Sequence, residues 1–580
     1  MAQKGVLWNG KYYTIPAAAS RIDSSALART PLGGDNVLVV MGIMTGLFAP
    51  KTLQGMSDPS LALNLLDPAT SEEARLAAQL VFDPAPGSPG ASQVYFVGVN
   101  PSTPATLTLS SALVLTSYLY GLSANQLMAK VEAGTTGKKV TVQFGANPAE
   151  VYDNLTKSSF SIVYTGSGSA AVMTITPNST THTLTTTCTG ATGDNLALDL
   201  DTYTTIQALV AAINSTGKYT AVVTTTNPND STMQLDGVTA QDIKTAPGYT
   251  AYSDLQAMID GINAKSGYCS AAEVTDATTI PANAAWTYFA GGANGTVTNN
   301  DWQAAFDLCK TIPIQQFVVL TSDASIHSML SAHLDYMSGP DGKSERRGFV
   351  GGALQPWISE ANRTAALLAL TTAASNLNDD RVVHATLGSY HYDPNGKNKL
   401  YPGYITACMY AGLASGSSPV EPLTRKHLRC NGLEIKLRPN EVAGLIDAGL
   451  APPIADDVMG AGYCIARQVT TWNQDSDLYR IEFSVGRGSD YIASQVRKRH
   501  AEVIGKAGTA DMDVTILNIT NGVLQDALTA GYIRSYDPKA TVLRVDNTIR
   551  YIDYSAQPIL PINFIFSTYH LLPTVQTIQL

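Results

Sequence analysis

The chain has 580 residues, 44% of them hydrophobic and 14% charged, with a formal net charge of −10. That length exceeds what one hydrophobic core serves, so three or four domains are expected. The acidic balance argues against a nucleic-acid binder, whose phosphate contacts need a dense basic face, and no apolar run reaches the length of a membrane-spanning helix.

The first strand-like run is GVLWNGKYYTIP (Gly5–Pro16), rich in aromatic and β-branched residues and detached from the next segment by Pro16 and the Ala17–Ser20 stretch. Asn9-Gly10 between apolar runs favours a type I′ turn, so the run either closes on itself as a hairpin or is donated to a neighbouring sheet. No basic-then-apolar leader precedes it, and the expectation is a chain made in the cytoplasm. NVLVVMG (Asn36–Gly42), after turn signals at Pro31, Gly33 and Gly34, reads as a buried strand. Ser71 opens a helix with Glu72 and Glu73 in its first turn and Leu76, Leu80 and Val81 on one face; Pro84, Pro86 and Pro89 stop it, and Gln93–Val99 is the next strand. Strand, helix, strand implies an α/β layer.

That layer is interrupted. No arginine lies between Arg75 and Arg346, and from about Pro104 to Pro281 threonine, serine, glycine and asparagine dominate, with β runs at Lys139–Phe144, Ser161–Tyr164, Ala171–Ile175 and Tyr219–Thr224 and one helical patch, Ile206–Ile213. Short strands separated by turn residues predict a β-rich, sandwich-like domain inserted in a surface loop. The α/β pattern is expected to resume at Trp286–Ala290, followed by the glycine-rich GGANG, a helix capped near Asn300 or Asp301, the strand Gln316–Leu320, helices over Ser322–Met337 and Trp357–Asn376, the strand Arg381–Ala385 and a small-residue helix, Tyr404–Ala414. Pro439–Ala448 reads as a capped helix. The last domain is predicted as α+β: Ala466–Trp472, a strand at Tyr479–Val485, a long helix from Asp490 to about Lys506, further elements at Asp511–Leu517 and Gly522–Leu528, and terminal strands. Thr548–Tyr554 is one of these. From Pro561 onward Ile562, Phe564 and Phe566 alternate with Asn563 and Ser567, the period-2 pattern of a half-buried strand whose backbone groups need partners from this domain or from another molecule.

No catalytic constellation assembles from the sequence. GPDGKS (Gly339–Ser344) resembles the end of a phosphate-binding P-loop, but Met337 stands where that motif needs glycine. GGANG lacks the G-x-G-x-x-G spacing, and no G-x-S-x-G elbow occurs. His327 and His333, six apart, fall on different sides of a helix and read as capping or surface histidines. Asp379-Asp380 and Asp456-Asp457 read as solvated loop acids. The six cysteines are far apart, without C-x-x-C, and are expected to be mostly reduced. Nothing demands a metal or cofactor. Arg497, Lys498, Arg499 and His500 form a basic patch that is either solvated, with Ile492, Val496 and Val503 facing the core, or set against an acidic partner.

Several segments, in order and spacing, carry a resemblance: YTIPAAASRIDSSAL (Tyr13–Leu27) leading into NVLVVMG, SYLYGLSANQLMAKVEAGTTGKKVTVQF (Ser117–Phe144), GGANGTVTNNDWQAAF (Gly291–Phe306), PNEVAGLIDAGLAPP (Pro439–Pro453), RQVTTW (Arg467–Trp472) and DYIASQVRKRH (Asp490–His500). Over nearly its whole length the chain resembles the contractile phage tail sheath family. The resemblance implies an α/β and α+β multidomain protein without catalytic activity. Its parts would be an N-terminal arm (1–20), an α/β sheath core (21–104 and 282–425), an inserted β-rich outer domain (105–281), a C-terminal α+β domain nearest the tube (426–560), and a last strand and arm (561–580).

It further implies hexameric rings stacked helically on a tail tube protein, contraction triggered by the baseplate, association with tail terminator proteins, and residence in the virion tail after assembly in the host cytoplasm. Neither nucleic-acid binding nor membrane insertion is implied. Strand exchange between subunits would fall to Val6, Trp8, Tyr13, Ile15, Ile562, Phe564 and Phe566, and the tube-facing side to Arg497, Lys498 and Arg499. Two other readings of the residues stand beside it, a virion-associated or secreted hydrolase with a β-sandwich binding insert and a non-contracting surface-layer subunit.

Overall fold

The computed structural model describes residues 6–8, 11–13, 36–178, 180–275, 277, 279–456 and 462–571. The chain divides into two units, Met1–Asp35 and Asn36–Leu580. In the first, Val6–Trp8 pairs antiparallel with Lys11–Tyr13, Val6 opposite Tyr13 and Trp8 opposite Lys11. This run therefore pairs with itself, as two residues between the strands allow; Asn9-Gly10 and Ile15 lie outside the described residues.

The second unit is built on a six-stranded sheet in the order Val382–Ala385, Arg347–Gly351, Gln316–Val319, Leu38–Gly42, Val94–Gly98, Gln54–Met56. The first five strands are parallel and Gln54–Met56 is an antiparallel edge. The strand runs are continuously apolar because both faces are covered. Leu38, Val40, Val94, Phe96, Val318, Phe349 and Val383 pack on one side with the helices Glu72–Phe82 and Gly403–Gly416. Val39, Met41, Val97, Phe317, Val319 and Val350 pack on the other with Asn299–Leu308 and Ala324–Ser338. The strand Arg347–Gly351 escaped sequence reading because two of its five residues are glycine, which weakens a strand signal. Gly351 is needed for contact: a Cβ there would lie 2.0 Å from the backbone of Gly403. The helix Gly403–Gly416, nearly all buried, likewise touches backbone, a Cβ on Gly412 falling 2.6 Å from the Val81 carbonyl.

The strand found at Ala284–Tyr288 does not belong to this sheet. It pairs with Leu127–Ala133, as the edge of a four-stranded sheet with Lys138–Phe144 and Glu150–Leu155. The inserted region is thus closed by Thr103 and Thr106 bonding to Ala293 and Ala290. It contains two hydrophobic cores, one around Leu113, Val140, Met258 and Phe289, the other around Phe160, Met173, Leu184 and Ile213. The second core draws only on residues between Ser158 and Tyr252. Its chain enters and leaves at one place, where the Ser253 N–H donates to the Lys157 carbonyl at 2.8 Å.

Further expectations are corrected. Tyr479–Val485 is not a strand but the helix Leu478–Ile481 followed by Phe483–Ala501. Its alternation misleads because burial decides: Phe483 to Gly488 are all buried, and Gly486 lies so close to Arg347 that a Cβ would come 2.4 Å from Nη2. His327 and His333 are buried rather than surface groups; His327 Nε2 donates to the Thr321 carbonyl and His333 Nε2 accepts from Arg346, both at 2.9 Å. Asp379 and Asp456 are also buried, Asp379 accepting from the Ser331 hydroxyl at 2.5 Å and the Arg381 N–H at 2.7 Å; Asp457 lies outside the described residues. The helix entry after GGANG is capped by Thr298, in a capping box with Asp301. All six cysteines are free, five of them buried. Among the described residues no helix is long and apolar enough to cross a membrane.

Candidate assembly surfaces

The C-terminal part begins where the helix Phe483–Ala501 enters the core. Asp490 accepts from Arg347 Nε at 2.8 Å and Arg381 Nη1 at 3.1 Å, and Tyr479 Oη donates to its other oxygen at 3.3 Å. Arg347 and Arg381 flank the parallel sheet, so this carboxylate ties the helix to the α/β layer. One turn away Arg487 is wholly enclosed and donates to Asn36 Oδ1 at 2.9 Å and the Ser417 carbonyl at 3.1 Å; burial pushes its guanidinium down to about 9. No sequence motif signalled these arginines, since each finds its partner from a distant segment.

The basic patch is partly used within the chain. Arg497 pairs with both oxygens of Glu345, Arg499 Nη2 with Asp526 at 3.0 Å, and His500 Nε2 bonds Thr520 Oγ1 at 3.0 Å. Lys498 is exposed, while Val496 is buried against the interior. Beyond it the helix Ala510–Thr529 packs back, and two antiparallel pairs follow, Ile533–Tyr536 with Ala556–Pro558 and Val542–Asp546 with Ile549–Asp553.

From 559 to 571 the chain belongs to no sheet. Ile562 is 82% exposed, Phe564 68% and Phe566 94%, and Ile565, Tyr569 and Leu571 are exposed as well. The Phe564 and Phe566 rings stack at 6.3 Å with planes 4° apart, as side chains two residues apart do on an extended backbone. The expected half-buried strand is therefore unpaired and uncovered among the described residues. Its root is held: Asn563 Nδ2 donates to Glu482 Oε1 at 2.9 Å, the same oxygen takes both Nε, at 3.0 Å, and Nη2 of Arg467, and the Arg467 guanidinium lies 5.8 Å from the Phe564 ring centre. Sequence reading passed over this trio; the one available signal was a polar Asn563 inside an apolar run. Among the described residues no group of three or more His, Cys, Asp or Glu side chains is placed to hold a metal ion.

No family model matches the chain. It is 29% identical to the tail sheath protein of Bacillus phage SP01, over 98% of each chain, and 23% identical to that of Staphylococcus phage Twort, over 83% of this chain and 84% of the other. The sequence is similar to phage tail sheath proteins. The fold agrees: the crystal structure of a sheath tail protein from Desulfitobacterium hafniense superposes with a TM-score of 0.54, covering 93% of this chain and 96% of that one at 12% identity. The likeness to tail sheath proteins covers nearly the whole chain, taking in the parallel-sheet core, the insert and the C-terminal elements alike.

Proposed function

We propose that this chain is the structural subunit of a contractile phage tail sheath. In this reading it polymerises as stacked hexameric rings around a tail tube, and contraction drives the tube through the host envelope. The observation that carries the proposal is the row of exposed apolar side chains on the unpaired segment 559–571. A monomer has no use for such a segment, whereas an extended peptide added to a neighbour's sheet edge gains backbone hydrogen bonds and apolar burial. Each hydrogen bond contributes only about 0.5–1.5 kcal/mol net, and buried apolar surface adds about 25 cal/mol per Å². One arm is therefore a modest link, multiplied by the lattice.

Ile562, Phe564 and Phe566 are assigned to the C-terminal arm, and Val6, Trp8, Tyr13 and Ile15 to the N-terminal one, which would dock as a paired hairpin. Arg497, Lys498 and Arg499 are assigned to the tube side. Baseplate and terminator proteins would cap the polymer's ends, and assembly would take place in the host cytoplasm. No observation favours a hydrolase.

Negative-stain electron microscopy of the purified chain at rising concentration tests the proposal. Hollow tubes with a regular ring repeat are expected from the full chain and not from one ending at Leu560. Uniform small particles from the full chain, with or without added tube protein, would overturn it.

A further inference from the structure

The C-terminal segment is held at its root, and the described residues beyond it are exposed. At the root, one oxygen of Glu482 collects three donors, two from Arg467 and one from Asn563. Glu482 itself is 2% exposed, fixed between the helices Leu478–Ile481 and Phe483–Ala501, and its backbone is pinned by a bridge to Val469. A carboxylate only accepts, so Asn563 presents its amide nitrogen there, and holding this side chain against the body sets the facing of its neighbours, because successive side chains on an extended backbone point to opposite sides. Arg467 adds a contact to the Phe564 ring. From Ile565 onward every described side chain is exposed.

We infer that Glu482, oriented by Arg467, is a positioning residue: it clamps Asn563 so that the segment leaves the body at one point with one face forward. This rests on the proposed sheath function and deepens it, by naming what sets the direction of the donated strand. The reason such a clamp matters is the period of two. A strand rotated about its axis, or slipped by one residue, turns Ile562, Phe564 and Phe566 away from the surface meant to receive them. Residues 559–571, which belong to no sheet, inherit their facing from the root.

The test uses the full chain. Asn563→Asp sets a carboxylate against Glu482 at a partly exposed position, and the exchange variant carrying Asn563→Asp together with Glu482→Gln restores a carboxylate–amide pair. Thermal unfolding and electron microscopy are read on each, with the chain ending at Leu560 alongside. The expected result is an unchanged melting temperature for Asn563→Asp with about a tenfold loss of regular tubes, as removal of a charge-assisted hydrogen bond implies, and recovery of tubes in the exchange variant. Asn563→Asp tubes with wild-type yield and repeat would overturn the clamp, as would a folded exchange variant that recovers nothing. If Glu482→Gln prevents folding, the single variant decides alone. Normal tubes from the chain ending at Leu560 would instead overturn the arm itself.

Discussion

Arg347 Nε donates to Asp490 Oδ2 at 2.8 Å in a place where the arginine side chain is 2% exposed and the aspartate 11%. Arg381 shares that carboxylate at 3.1 Å. Two cations from neighbouring strand starts and one anion from the helix Phe483–Ala501 thus make the C-terminal part and the sheet a single piece. A buried pair is weak evidence of net stabilisation, but losing one partner strands the rest. Asp490→Asn should therefore destabilise the chain by about 3–5 kcal/mol, read as a lowered urea midpoint.

Gly351→Ala should be as damaging for a different reason. The new methyl would meet the backbone of Gly403 and Tyr404 at 2.0 Å, where no rotamer change gives relief. A loss at or above the usual overpacking range of about 1–3 kcal/mol is expected. Gly444→Ala, with nothing within 4 Å of the added carbon, is the matched control and should leave the melting temperature unchanged or slightly raised.

Removal of residues 158–252, joining Lys157 to Ser253 through a short glycine linker, should leave the remainder folded. The two ends are already hydrogen-bonded, and the two cores of the inserted region are separate. Circular dichroism and thermal unfolding of the shortened chain check this; loss of the cooperative transition would show that the cores depend on each other.

Acid should weaken the fold through its histidines. Burial pushes His384 down to about 3 and His391 to about 4; burial and the Arg346 charge push His333 to about 3. Their folded values lie below the ordinary imidazole value of about 6.5. The stability they contribute is fully present above that value and is lost as pH falls toward the folded values. Asp236 and Asp335 act oppositely: burial raises both to about 6, so they favour the folded state at low pH and cease to do so as pH rises from about 4 to 6. Three depressed histidines outweigh two raised acids, and the urea midpoint should fall between pH 7 and pH 5.

Much of this was legible in the sequence. Asn36–Gly42, Gln93–Val99, Gln316–Leu320 and Arg381–Ala385 announced themselves because a parallel strand covered on both faces is apolar throughout, and the exposed row at Ile562, Phe564 and Phe566 was visible as a period of two. What escaped depends on distant partners. Arg347–Gly351 is a strand because its neighbours complete it, and Tyr479–Val485 is helical because the interior receives Gly486 and Arg487. The histidines and Asp379 read as solvent groups because short-range pattern carries no information on burial. Trp286–Ala290 looked like the core's next strand, and only the pairing of the observed strand, Ala284–Tyr288, with Leu127–Ala133 assigns it to the insert.

The closure of the insert at Thr103 and Ala293 also bears on the order in which the chain acquires structure. Leu38–Gly42 must pair with Gln316–Val319, and every residue between them emerges first during synthesis. Left unstructured, that stretch would oppose the pairing with the entropy of a long loop. The insert has its own cores and can condense before the second half of the sheet exists, bringing Thr103 and Ala293 together. The long excursion then behaves as a short connection, and the slow non-local step of the fold becomes a nearly local one.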